Sequence, residues 1–449
     1  AGNALKAQKK SLRTATLSLT LSFLGFALML SFFTLSGIST NHTYFERYQD
    51  AWDVMGTLED TKIEDFAYTN EIHALADTDS VIYQKADATC FVPADAISEE
   101  VKSLGGLEAI AGSDVSAADG IYTIQAPIVI MDDSSFVKYC EQIGVSSAEN
   151  GSVVLNRIWD NINSNFRYKE CVPFLSENQD TMTLQNKEDM ATTVSIPVLG
   201  LTQEPPILRE EYDNYALVQF VSLSTWKQIH EMIGNAGPDT YIRILSENER
   251  TLTKLNAIET ELTNVLGHDL SFEVENRVQE KIDNDAMLNG YKLVVGALCV
   301  LLAIIGIANV SSNTLGFIRQ RKREFARYMS IGMTPESMRK MFWIEALVIA
   351  GRPVLITLPV TSLFVWFMIT ASYLNPMEFL AVAPIVPILL FIVALFGFVA
   401  LAYYLGGKQI LKCNLVEALR SDYMVCQYEF QSAGRRPKNP SSSSPLTRP

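Results

Sequence analysis

The stretch Arg319-Gln-Arg-Lys-Arg-Glu-Phe-Ala-Arg-Tyr-Met-Ser-Ile-Gly-Met-Thr-Pro-Glu-Ser-Met-Arg-Lys340 decides how the rest of the chain is laid out. It sets Arg319, Arg321, Lys322, Arg323, Arg327, Arg339 and Lys340 between two long apolar runs. A short basic loop between two spans belongs on the cytoplasmic side of a membrane. Its punctuation is also readable: Gly332 suits a left-handed helix stop, Thr334 a cap, Pro335 a first helical position, and Glu336 the positive end of the next helix. The expectation is a short rigid helix, a tight turn and a helix entering the bilayer. A rigid basic helix facing the cytosol is a docking surface.

Working outward, the 449 residues are 48% hydrophobic, and that content is concentrated. Four runs approach the roughly 20 apolar residues needed to cross hydrocarbon. They define spans at 14–37, within 286–318 after a stalk, at 341–372 and at 385–405. A domain of 38–285 lies between the first and second, and a short outer loop of 373–384 between the third and fourth. Charge follows the same division. From Ile38 to Gly290 there are 43 Asp and Glu against 16 Lys and Arg, although the whole chain carries only −14. This is the pattern of an acidic extracytoplasmic domain above a basic cytoplasmic rim, and it argues against nucleic acid as a partner. Residues 1–13 read as an amphipathic entry helix on the inner surface, in contact with membrane lipid. The apolar run that follows is too long for a signal peptide, so an uncleaved span is expected. The cytoplasmic tail is 406–449, with the composition of disorder from about 432.

The fold class expected is therefore membrane α-helical, four transmembrane helices with a large extracytoplasmic α+β domain of two lobes between the first and second spans. Strands are expected at Ser80–Tyr83, Tyr122–Ile130, Ala191–Val198, Tyr215–Val221 and Tyr241–Leu245, and helices at Ser134–Ile143, Ser224–Ile233 and Glu247–Leu266. The strand-then-helix order at 126–143 and again at 216–233 points to two small sheet-and-helix lobes. Residues 274–290 are helix-compatible and lead without proline into the second span. Either one helix runs from about Val278 to Met329, about 75 Å long, or it breaks at Asn289-Gly290. Glu345 and Arg352, seven residues apart on the third span, form a candidate intramembrane polar pair or a buried acid beside a snorkelling arginine.

Catalytic motifs are absent. The run Leu405-Gly-Gly-Lys408 lacks the spacing of a phosphate loop, and His42, His73, His230 and His268 form no metal-binding motif. Six scattered cysteines with no C-x-x-C suggest neither a zinc site nor a disulfide framework. No catalytic residue, cofactor or metal is expected in this chain.

Several ordered segments resemble the FtsX-like permease domain of MacB-type ABC transporters. They are Ile307-Ala-Asn-Val-Ser-Ser-Asn-Thr, Arg321-Lys-Arg-Glu-Phe-Ala-Arg-Tyr-Met-Ser-Ile-Gly-Met, Met338 to Ile344-Glu-Ala-Leu347, and Leu415-Val-Glu-Ala-Leu-Arg420. The likeness covers roughly the first 40 and last 160 residues; Asn414-Leu415, where the family's tail motif has proline at the second position, and Arg352 depart from the pattern. The resemblance implies a permease subunit in the bacterial plasma membrane, multi-pass, with both termini cytoplasmic. Arg321, Lys322, Arg323, Glu324, Phe325, Arg327 and Tyr328 would couple it to a cytosolic ABC ATPase dimer that binds the ATP. The permease would pair with a second half or a second copy of itself, and the absence of an initiating Met fits a piece of a longer permease. Export or release of a peptide, antibiotic or lipid-linked substrate is the implied task. Signalling to cell-wall hydrolases, as in FtsX itself, is the alternative.

Overall fold

The computed structural model describes residues 9–46, 51–112, 115, 117–146, 150–176, 179–207, 212–267, 271–320 and 327–411. The first eight residues of the entry helix, the coupling residues Arg321, Lys322, Arg323, Glu324 and Phe325, and the tail from 412 lie outside the described residues. Along the chain come α1 (Lys9–Thr40), β1 (Val54–Leu58), α2 (Thr69–His73), β2 (Thr78–Ala86), β3 (Ala88–Pro93), α3 (Glu99–Ser103), α4 (Leu107–Ala111), β4 (Ile121–Gln125), β5 (Ile128–Met131) and α5 (Asp133–Gln142). Then follow β6 (Ser152–Leu155), β7 (Ile158–Trp159), β8 (Cys171–Val172), β9 (Thr181–Asn186), β10 (Thr193–Thr202), β11 (Gln219–Ser222), α6 (Leu223–Ile233), β12 (Thr240–Ser246), α7 (Leu252–Leu266) and β13 (Phe272–Asn276). The last elements are α8 (Arg277–Gln320), α9 (Pro335–Ala371), α10 (Pro376–Val382) and α11 (Ile385–Leu411). They form two compact units, one of 36–289 with 372–375 and one of 1–35, 290–371 and 376–449.

The α+β unit is organised by a mixed sheet in the order β13-β1-β12-β2-β5-β11-β6-β10-β9-β3-β4. Alternation along its central strands feeds two cores. Ile128, Ile130 and Val221 join Trp226 of α6 and Leu255 and Leu262 of α7 in one core, whereas Val129, Met131 and Phe220 join Phe136 and Tyr139 of α5 in the other. The two strand–helix segments thus do not found separate lobes as the sequence suggested. β5 and β11 are parallel neighbours, with Gln219 opposite Ile128 and Ser222 opposite Met131. The sheet changes partners within β10, which pairs with β9 over 193–197 and with β6 from Val198 onward, the register shifting between Val198 and Gly200. A Cβ at Gly200 would stand 2.8 Å from Val145, so the bulge needs glycine for a close approach.

Two further differences from the sequence reading have local causes. Residues 274–276, read as helix-compatible, belong to β13, and α7 begins at Leu252, where the Thr251 hydroxyl accepts from the Lys254 N–H. Arg250, expected inside that helix, instead pairs with buried Asp53 at 3.2 Å.

The second unit is helical. Leu19 of α1, Met338, Phe342, Ala346, Ile349 and Ala350 of α9, and Leu395, Val399 and Tyr403 of α11 form its core, with Ile307 of α8 packed against it. Phe391 stacks on Phe23 and Phe26. Ser22 of α1 is buried. Outside this core, Leu347, Leu355, Leu363 and Trp366 on α9 and Val386, Leu390 and Val393 on α11 are all more than 60% exposed. Faces so apolar are costly in water and suited to hydrocarbon. Among the described residues, three helical stretches are long and apolar enough to cross a membrane: Leu19–Glu46, Pro335–Ala371 and Ile385–Lys408. The remaining expected span falls inside α8, which continues across Asn289-Gly290 without a break. Pro353 and Pro359 also lie within an unbroken α9, and the outer loop contains α10.

Candidate functional site

Residues 327–335 form a helix end, a turn and a helix start, in which the N–H groups of Ile331, Gly332 and Met333 all find carbonyl partners within the segment. The N–H of Met333 donates to the Tyr328 carbonyl at 3.0 Å and that of Gly332 to the Met329 carbonyl at 3.1 Å. This paired arrangement closes a helix when its following residue is left-handed, and Gly332 has φ +102°. On the other side, Thr334 caps α9: its hydroxyl accepts from the Ser337 N–H at 3.3 Å and its carbonyl from the Met338 N–H at 3.2 Å. Met329 packs on the core that contains Met338 and Phe342, fixing the turn to the helices beneath it. The turn therefore holds its shape while presenting Ile331, 84% exposed, beside Tyr328, 43% exposed, and the exposed Arg327. A large apolar side chain held out on a rigid, cation-flanked turn is the composition of a protein-docking anchor. The sequence reading named Arg321, Lys322, Arg323, Glu324, Phe325, Arg327 and Tyr328 here and did not name Ile331, whose only signal was an isoleucine immediately before the stop glycine.

Glu345 and Arg352 do not share an environment. Glu345 is buried, 1% exposed, whereas Arg352 is exposed, and seven residues separate them by about 10 Å along the helix.

The start of α8 is embedded in the α+β unit. β13 pairs along β1 and runs straight into the helix, where the Asn276 side chain accepts from the Val278 and Gln279 N–H groups at 3.1 and 3.3 Å. The Asn276 amide donates in turn to Asn256 and Glu259 of α7. The adjoining Arg277 is buried and donates to the carbonyls of Trp52, at 2.9 Å, and of Phe45. With 44 residues, α8 is about 66 Å long.

A second anchor in the same unit is the loop 160–170. Asn165 accepts from the N–H groups of Arg167 and Tyr168, tightening the loop so that Arg167 projects from it. Its guanidinium, 8% exposed, donates from Nε to the Ser372 carbonyl at 2.8 Å and from Nη2 to the Ser39 hydroxyl at 2.9 Å. Nη1 reaches the Ser39 carbonyl and the Thr43 hydroxyl, each at 3.4 Å. Ser39 lies near the end of α1, where the helix passes into a π-helical segment over Asn41–Glu46, and Ser372 just past α9, so one cation meets the negative end of α9 and the side of the first helix. Phe166 and Tyr168 flank it edge-on against Tyr373 and His42. Nothing in the local sequence marks Arg167.

The fold also joins Ser80, His73 and Asp132, which the sequence reading left apart. His73 Nδ1 lies 2.7 Å from Ser80 Oγ, and its Nε2 3.2 Å from Asp132. The order imitates a hydrolytic triad, but Ser80 is 5% exposed and Asp132 is committed to capping α5 through the Ser134 and Ser135 N–H groups. Burial alone would raise the Asp132 pKa; the bonds from His73, Ser134 and Ser135 outweigh it and bring it down to about 2. The cluster is a helix anchor. Cys90 and Cys140 are buried and Cys171 is exposed, all three unbridged, and burial pushes the Cys90 thiol up to about 12. No group of side chains arranged to hold a metal occurs among the described residues.

Residues 293–415 match the family model described as FtsX-like permease C-terminal. No curated protein matches the chain. Among solved structures, the periplasmic region of MacB from Actinobacillus actinomycetemcomitans is similar at 12% identity and a TM-score of 0.26, over 54% of this chain and 98% of that one.

Proposed function

We propose that the chain is a member of the FtsX-like permease family, whose C-terminal model matches its residues 293–415, and that it is the membrane-spanning subunit of an ABC transporter driven by a separate cytosolic ATPase dimer. The ATPase docks on the turn 327–335 together with Arg321, Lys322, Arg323, Glu324 and Phe325, seating Ile331 in an apolar pocket. In this reading the turn lies in the cytosol, as do both termini, and the acidic α+β unit lies outside the plasma membrane. The permease acts as a pair, with a second copy or a second half.

Closure of the ATPase dimer displaces the turn as a body, because its caps and the Met329 contact leave it little freedom to flex. Movement of that kind travels along rigid elements rather than loops. α8 serves as the rod, clamped at its start by Asn276 and Arg277. Motion delivered to the α+β unit then expels or releases a peptide, antibiotic or lipid-linked substrate, and this subunit itself performs no hydrolysis.

The observation that carries the reading is the rigid turn with Ile331 held out of the core. The test is co-purification of the full chain with the ATPase of its own membrane, identified by mass spectrometry. Ile331→Asp should reduce the recovered ATPase by about tenfold or more, the size of effect expected of an interface anchor. Unchanged recovery from Ile331→Asp combined with Arg327→Glu, in a chain that remains folded, would remove the turn from the interface.

A further inference from the structure

The first turns of α9 and the last turns of α11 enclose a groove of about 420 Å³ within the helical unit. The two helices pack tightly at its edge: a Cβ at Gly407 would stand 3.0 Å from the Phe342 ring. Phe342 and Tyr403 are buried and form the floor, while Trp343 and Tyr404 are 61% and 57% exposed and form the sides. Arg339 and Lys408, one from each helix, stand at the same groove, both exposed. Among the described residues neither has an acidic partner.

These features constrain the occupant by chemistry. An aromatic floor offers a small hydrophilic anion nothing to replace its water, and two unneutralised cations disfavour a purely apolar guest. A molecule with an anionic head and a hydrocarbon body satisfies both. Tyr and Trp mark the depth at which such heads sit, and basic pockets between membrane helices bind acidic headgroups. The volume falls in the range of small-ligand sites, enough for a headgroup and the upper part of one acyl chain.

We propose that this groove is a binding site for an anionic phospholipid. Its phosphate lies between Arg339 and Lys408, and the start of an acyl chain crosses Phe342 toward Ala346. The assignment to the cytoplasmic leaflet rests on the functional reading above; the binding itself does not. Because Arg339 and Trp343 stand seven and eleven residues beyond Gly332, the bound lipid braces α9 just behind the turn at 327–335.

The test uses the full chain in detergent, without ATPase, so that its outcome is independent of the transporter reading. Phosphatidylglycerol and phosphatidylcholine are supplied in equal amounts, and retained lipid is counted by native mass spectrometry. The full chain should retain phosphatidylglycerol preferentially, and Arg339→Gln with Lys408→Gln should lower that retention by about tenfold to thirtyfold. In a Trp366→Phe background, brominated phosphatidylglycerol should quench fluorescence that Trp343→Phe removes. Equal retention of the two lipids, retention unaffected by the double substitution, or quenching independent of Trp343 would overturn the proposal. So would retention that appears only after deletion of 412–449, because the chain's own tail would then be the occupant.

Discussion

The turn at 327–335 and the Arg167 loop at 160–170 both hold helical backbone in place, but by opposite routes. In the turn every capping bond joins residues no more than five apart, Tyr328 with Met333 being the longest. In the loop, one guanidinium gathers partners 124, 128 and 205 residues away. Local caps need nothing else folded and leave the outer surface free for a partner. The long-range cap forms only after α1, the loop and the residue following α9 have come together, so it reports assembly.

The comparison is broken most severely at Arg167. Arg167→Ala leaves two backbone carbonyls and two hydroxyls without their charged donor, a loss of about 3 kcal/mol. Arg167→Lys keeps the charge but not the planar fork and should recover part of it. Hydrogen exchange on the full chain should show faster exchange at 39–46 and 372–375 in the alanine variant, an intermediate rate with lysine, and unchanged protection in α5. Unchanged protection at both helix ends would mean that the ends are held by something other than the guanidinium.

Asp132 combines both routes on one carboxylate, capping Ser134 and Ser135 beside it while meeting His73 59 residues away. Its pKa is lowered from 3.8 to about 2, so its contribution is fully present above the unfolded value and is lost as pH falls through the folded one. The shift corresponds to about 2 kcal/mol near neutrality. Asp132→Asn preserves a good cap and removes only the charge. Protection of α5 should therefore fall in that variant by about 2 kcal/mol at pH 6, and the difference should shrink to under about 0.5 kcal/mol near pH 2. A gap that stays constant with pH would assign the effect to shape rather than charge.

The same distinction explains what could be read in advance. α5 and α6 were legible within a residue or two because Asp132 and Ser222 cap them locally and their buried residues recur at helical spacing. The stop at Gly332 and the cap at Thr334 were legible for the same reason. β1 and β13 were not: Gly56 interrupts one, Glu273 and Glu275 punctuate the other, and β13 is an edge strand paired with β1, Val54 opposite Asn276. Nor could the neighbouring placement of β5 and β11, or the joining of His73 to Asp132, be inferred from spacing. At the turn 327–335, the helix stop and the cap were legible, whereas the exposure of Ile331 depended on which side of the turn Met329 buries.

The smallest expected effect sharpens the local half of the comparison. Gly332 has no neighbouring atom within 4 Å of an added Cβ, so a substitution there meets backbone strain alone. Gly332→Val should destabilise the turn by about 1–2 kcal/mol, and Gly332→Asn by less, since asparagine tolerates the left-handed region. Amide exchange at Gly332 and Met333, whose N–H groups close the helix, should accelerate in the order valine, then asparagine, then wild type. ATPase recovery should fall in the same order if the partner reads the shape of the turn as well as its side chains. Loss of amide protection with full ATPase recovery would show that Ile331 can dock from a loosened turn, and the rigid-body transmission proposed above would then have to begin in α9 instead.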